Sequence, residues 1–120
     1  MYEHSFEKLQ VWQDAMELVE LTYHLTKEFP SSETYGLVSQ MRRSSVSIAS
    51  NLAEGTSRIT HKDKAHFSTL AFSSTMELLC QLIISKRLNY INEEKYLVTR
   101  AQINKVSNKI NALKKSQLNQ

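Results

Sequence analysis

Two glycines and one proline in 120 residues leave a chain of strands and turns without its usual punctuation, whereas a few long helices on short loops need little of it. One cysteine, Cys80, cannot close an intramolecular disulfide, which agrees with a reducing compartment. No stretch approaches the roughly 20 uninterrupted apolar residues of a membrane span. The opening MYEHSFEK has no basic segment followed by an apolar one. These absences predict a soluble, cytoplasmic, all-α protein, and the length predicts one domain over residues 1–120 with a real hydrophobic core.

The charge is uneven. Residues 1–60 carry five Lys or Arg against eight Asp or Glu, a net of −3, and residues 61–120 carry ten against four, a net of +6. The basic excess belongs to the second half, where it permits contact with phosphate or with an acidic partner.

Periodicity predicts four helices, over about 6–29, 32–54, 61–88 and 93–115. In the first, Leu9, Trp12, Met16, Val19 and Tyr23 repeat at helical spacing, while Val11, Leu18 and Leu25 fall outside that stripe, so the helix is apolar over more than one seam. Pro30 stands just beyond its end. Ser31 or Ser32 suits the N-cap of the second helix. Gly55 suits its C-terminus through a left-handed conformation. Leu37, Met41, Ser44, Ile48 and Leu52 share one side of that helix, and Gln40, Arg43, Ser47, Asn51 and Glu54 form a polar stripe beside it. Ser44, Ser45, Ser47, Ala49 and Ser50 have low helix propensity and make sense where a neighbouring backbone approaches closely, with hydroxyls bonding to the preceding turn.

Thr60 with Asp63 opens the third helix in the manner of a capping box. Phe67, Leu70, Ala71, Ser74, Leu78, Leu82 and Ser85 make one face, and Phe72, Met76, Leu79 and Ile83 make a second. A helix apolar on two sides needs two partners: either it is central to the monomer or its second face is covered by another subunit, and in the latter case Arg43, Ser47, Asn51 and Glu54 join it as candidate interface residues. Arg43 and Glu54 lie about 16 Å apart along one helix and need partners elsewhere. Thr99, Ile103, Val106, Ile110 and Leu113 give the core stripe of the fourth helix, and residues 116–120 are expected to fray. Short connections make successive helices antiparallel neighbours in an up-down-up-down four-helix bundle.

Chemistry is sparse. A bundle that holds two metals needs Glu-x-x-His on two helices plus a Glu on each of the others. Only Asp63-x-x-His66 comes near. His61 and His66 diverge around their helix, and His24 sits on a polar flank. No nucleophile elbow, phosphate-cradling glycine loop or dinucleotide fingerprint is present, so the expectation is a non-enzyme without metal or cofactor. Nucleic acid remains a candidate partner through Arg42, Arg43, Arg58, Lys62, Lys86, Arg87, Arg100, Lys105 and Lys109, with Lys64, Lys114 and Lys115 also available for phosphate contact.

The segments FEKLQVWQDAMELVELTYHLTKEFP, ETYGLVSQMRRSSVSIASNLAEG and FSTLAFSSTMELLCQL together resemble the bacterial four-helix-bundle family called the 23S rRNA intervening-sequence proteins. The most specific parts are Phe29-Pro30, Gln40 to Arg43, Asn51 to Gly55 and Ala71 to Leu78. The resemblance implies an up-down-up-down bundle assembling into a homopentameric barrel. It also implies kinship with accessory proteins of diversity-generating retroelements, which act with a reverse transcriptase and bind RNA or DNA. It supplies no catalytic residues.

Overall fold

The computed structural model describes residues 1–119. Its α-helices are α1 (Gln10–Thr26), α2 (Leu37–Thr56), α3 (His61–Arg87) and α4 (Glu93–Leu118), with 3-10 turns at Ser5–Lys8 and Ser31–Glu33 and no strand among the described residues. Helices packed on one another are α1 with α2, α2 with α3, α3 with α4, and α4 with α1. Side-chain bonds give their directions. Met41 meets Ser85 near one end of the α2–α3 seam, and Gly55 faces Phe67 near the other. Across the α1–α4 seam, Asp14 pairs with Lys109 and Glu28 with Lys95. Both seams are therefore antiparallel, in a bundle 45 × 31 × 22 Å.

The expected first helix is broken. Residues 5–8 form a 3-10 turn in which the His4 amide donates to Glu7 Oε2 at 2.7 Å, and extended Leu9 separates it from α1. At the other end, Phe29 N–H donates to the Thr26 carbonyl, tightening the chain before Pro30, which disfavours helical geometry in the residue preceding it. The core phase also differs from expectation. Val11, Ala15, Leu18 and Leu25 are buried, with Asp14, Thr22 and Thr26, whereas Leu9, Trp12, Met16 and Val19 are half-buried and Tyr23 is exposed. Both sets repeat at helical spacing, so period alone does not fix which points inward. Trp12 stays at the flank, where Phe6 covers it edge-on at 5.1 Å between ring centroids.

Helix two starts later than expected, and neither Ser31 nor Ser32 caps it. Glu33 Oε1 accepts from the Leu37 amide at 3.2 Å and so serves the first turn of α2. Glu33 Oε2 accepts from the Tyr90 hydroxyl at 2.9 Å, which ties this loop to the α3–α4 loop. Gly55 is not a left-handed terminus. It lies inside α2, buried, and no glycine has positive φ. A Cβ there would sit 3.0 Å from Phe67 Cβ, so its role is to let α3 approach. Ser44, also buried, meets α3 through Glu77, Ala49 lies on the side of α2 toward α1, and Ser45 Oγ donates back to the Arg42 carbonyl at 2.8 Å.

Thr60 caps α3 as its sequence predicts, accepting from the Asp63 amide at 3.1 Å. Ala71, Leu78, Leu82 and Ser85 are fully buried, joined by Ala65, Ser68, Thr75 and Gln81, while Phe67 and Ser74 are half-buried and Leu70 is exposed. Helix α3 also has an 18-residue window of mean hydropathy 1.4, enough by length and composition for a membrane span. In the bundle a third of that window is buried, and the rest lies on the helix flanks. Asn92 caps α4 by accepting from Lys95 N–H at 2.8 Å. Thr99, Ile103, Val106 and Ile110 line the core as expected, with Leu113 half-buried against it. The fraying expected of residues 116–120 does not occur through Leu118, because Gln117 is buried and its Oε1 accepts from Ser68 Oγ at 2.7 Å. Gln120 lies outside the described residues.

Candidate functional site

The flanks of the helices, where residues turn away from the core, are the surfaces available for function. The cations proposed from sequence for nucleic acid divide into two groups there. Several are occupied within the chain. Arg42 donates through Nε to Thr26 Oγ1 at 3.0 Å and lies over the Tyr23 ring. Arg58 pairs with Glu54 at 2.9 Å and covers the Phe67 ring. Lys86 pairs with Glu93 at 3.3 Å, and Arg100 bonds the Tyr96 hydroxyl. Arg43, Lys62, Arg87, Lys64, Lys114 and Lys115 have no side-chain ion pair or hydrogen bond among the described residues.

Lys105 and Lys109 belong to a site that periodicity did not reveal. Asp14 is only 1 % exposed, and its carboxylate accepts from Lys109 Nζ at 2.5 Å and Gln10 Nε2 at 3.1 Å, with Lys105 Nζ at 3.5 Å. Gln102 reaches the Asp14 carbonyl from α4. Burial pushes the Asp14 carboxyl up, but hydrogen bonds from Lys109 and Gln10 and the two lysine charges outweigh it and hold the pKa below its ordinary value. This cluster clamps α1 to α4. Its sequence signal is the position of Asp14 four residues before Leu18, on the face that Val11, Leu18 and Leu25 share.

The polar stripe of α2 meets α3. Ser44 Oγ donates to Glu77 Oε1 at 2.5 Å, Ser47 and Ser74 hydroxyls bond at 2.9 Å, and Asn51 Nδ2 donates to the Ser47 carbonyl at 2.9 Å. Of the proposed interface residues on α2, Ser47 and Asn51 are thus already engaged inside the subunit. Glu54 finds its partner one turn on, in Arg58, rather than on a neighbouring helix or subunit; Arg43 has no ion pair among the described residues. Gln40, Arg43, Glu77 and Gln81 line an open cleft along this seam. Gln81 is 8 % exposed, and its Oε1 is buried with no hydrogen-bond partner. A buried acceptor left unpaired costs about 1–3 kcal/mol, so Gln81→Met is expected to raise the unfolding free energy by about 1 kcal/mol, measured by urea denaturation.

The second stripe of α3 lies on the flank away from α2. Phe72 and Leu79 pack partly against the core, while Met76 and Ile83 are half-buried outside it. Across the molecule, Trp12, Met16 and Val19 of α1 and Val46, Ala49 and Ala53 of α2 line an apolar groove. Among the described residues no three His, Cys, Asp or Glu side chains converge to hold a metal ion.

Residues 7–112 match the sequence profile of the 23S rRNA-intervening sequence protein family. The chain belongs to that family. Among solved structures, a protein of unknown function from the S23 ribosomal protein family of Bacteroides thetaiotaomicron superposes with a TM-score of 0.79 at 18 % identity, over 88 % of this chain and 98 % of the other. At that identity the likeness concerns the fold. A search of curated proteins finds no match. For a member of the 23S rRNA-intervening sequence protein family, a description of function therefore rests on this chain's own surfaces.

Proposed function

We propose that the protein is a non-enzymatic, self-associating helical scaffold of the cytoplasm, and that its assembled form is a closed homopentameric barrel. The observation that carries the reading is the half-buried flank of α3, where Met76 and Ile83 lie outside the core cluster on a helix whose other face already fills the core. Residues of that kind gain from a second covering surface. Multi-angle light scattering at micromolar protein tests this: an oligomeric mass is expected, and a mass of 13.9 kDa overturns it.

A second reading is nucleic-acid binding by the assembled oligomer, in the manner of an accessory protein acting beside a reverse transcriptase. What favours it is the set of unpaired cations, Arg43, Lys62, Arg87, Lys64, Lys114 and Lys115, which assembly would multiply. Binding to structured RNA and single-stranded DNA across a salt series is expected to weaken steeply as salt rises. No binding at low salt removes this reading.

A further inference from the structure

The α2–α3 seam is closed along much of its length and opens toward Gln40. At the far end Gly55 lets Phe67 come close, and hydroxyl bonds then join Ser47 to Ser74 and Ser44 to Glu77. Beyond them Gln40 and Arg43 of α2 and Glu77, Cys80, Gln81 and Ile84 of α3 line an open cleft of about 550 Å³, a size within the ~300–1,000 Å³ of small-molecule sites. Spacings of three and four residues put each set on one flank of its helix.

Two parts of this lining do nothing for the fold. Gln81 is 8 % exposed, yet neither end of its amide has a hydrogen-bond partner among the described residues. Its Oε1 is shut off from solvent, which leaves Nε2 as the end that reaches the cleft. A buried amide in that state costs stability, a cost that a residue selected for packing alone would not carry. Arg43 is exposed and has no ion pair or side-chain hydrogen bond among the described residues, although the Glu77 carboxylate lines the same cleft. Opposite charges thus border one opening without joining. Ser44 Oγ fixes Glu77 through Oε1, and Oε2 is free to accept. Ile84, 41 % exposed, and the exposed Cys80 add an apolar stretch beside them.

We propose that this cleft binds a free α-amino acid with an apolar side chain. The α-carboxylate lies on the Arg43 guanidinium, whose planar fork can hold it through two parallel N–H bonds, and accepts further from Gln81 Nε2 and the Gln40 amide. The α-ammonium donates to Glu77 Oε2, and the side chain covers Ile84 and Cys80. Charge selects this class. A plain carboxylate on Arg43 would face the like charge of Glu77, and a plain amine on Glu77 would face Arg43. A chain end of a peptide brings one charge or the other, whereas a free amino acid brings both on one carbon. Self-association is not required for such binding.

L-Leucine is the probe. Calorimetric titration of the full chain to about 10 mM leucine, a decade beyond a Kd of about 1 mM, is expected to show saturable binding, with a rise in melting temperature. 4-Methylpentanoic acid lacks the ammonium, 3-methylbutylamine the carboxylate and L-alanine the branched side chain; each is expected to bind about tenfold more weakly or worse. Arg43→Gln and Glu77→Gln change exposed positions, the second keeping an acceptor for Ser44, and both should lose leucine binding to the same extent with unchanged helical circular dichroism. Gln81→Met separates a ligand contact from a packing role, because it is expected to bind leucine about tenfold more weakly while unfolding at higher urea than the unaltered chain. Arg43→Gln tests the same carboxylate contact should Gln81→Met fail to fold. The proposal is overturned if leucine gives no saturable heat, if any of the three analogues binds as well as leucine, or if Arg43→Gln, Glu77→Gln or a folded Gln81→Met binds leucine as the unaltered chain does.

Discussion

Leu78→Ala is expected to lower the unfolding free energy by about 3 kcal/mol, while Met76→Ala, two residues away, costs the monomer about 1 kcal/mol or less. Leu78 has no exposed surface and belongs to the central cluster. Removing its three distal carbons loses their transfer free energy and leaves a cavity that α2 and α4 cannot fill without moving. Met76 lies on the half-buried flank, where truncation removes less area from the folded chain. Urea unfolding of the dissociated protein reads the difference as a shift in midpoint at constant slope. Equal losses at the two positions would place the Met76 flank in the core and take away the surface proposed for self-association.

Lys109→Met is expected to destabilise the fold by about 2 kcal/mol near neutral pH, below the 3–5 kcal/mol of a fully buried pair because Lys109 is half-exposed and Lys105 still faces the carboxylate. The cost arises from Asp14, which loses its shortest hydrogen bond while remaining buried. The pH dependence has a definite sign. The folded pKa of Asp14 is depressed below 3.8, so its contribution is fully present above the unfolded value and is lost as pH falls through the folded one. The unaltered chain should therefore lose stability below about pH 4, and its advantage over Lys109→Met should shrink there. Asp14→Asn should flatten that acid limb. Unfolding free energies of the three proteins between pH 2 and 7 check this, and an advantage that grows toward acid would contradict the sign.

Local signals were the legible part of this fold. Thr60 with Asp63 announces the start of α3 because a cap is a contact between near neighbours in sequence, and Thr99, Ile103, Val106 and Ile110 announce a single apolar stripe on a helix that is otherwise polar. The phase of α1 was not legible, because Trp12, Met16 and Val19 repeat as regularly as Val11, Leu18 and Leu25, and only the positions of α2 and α4 decide which set turns inward. Gly55 misled for a related reason: a glycine near a helix end satisfies the rule for a left-handed terminus, yet the demand it meets comes from Phe67 on another helix. The same limit hid Asp14. Its partners Lys105 and Lys109 are more than ninety positions away, and as isolated lysines they suggest phosphate rather than a buried carboxylate.

The second stripe of α3 was visible in sequence, but Phe72 and Leu79 are partly used by the subunit's own core, and Ser47, Asn51 and Glu54 already have partners within the chain. The net charge of each half was visible too. Its consequence depends on packing, since Asp14 and Glu28 of the acidic half pair with Lys105, Lys109 and Lys95 of the basic half across the α1–α4 seam.

The central claim is that this bundle functions as an assembly, and the most direct measurement of it is the solution mass of the unaltered chain by light scattering, from submicromolar to tens of micromolar protein. A mass several times 13.9 kDa, falling toward the monomer as protein is diluted, is the expected result. A mass of one chain across the whole range would contradict it.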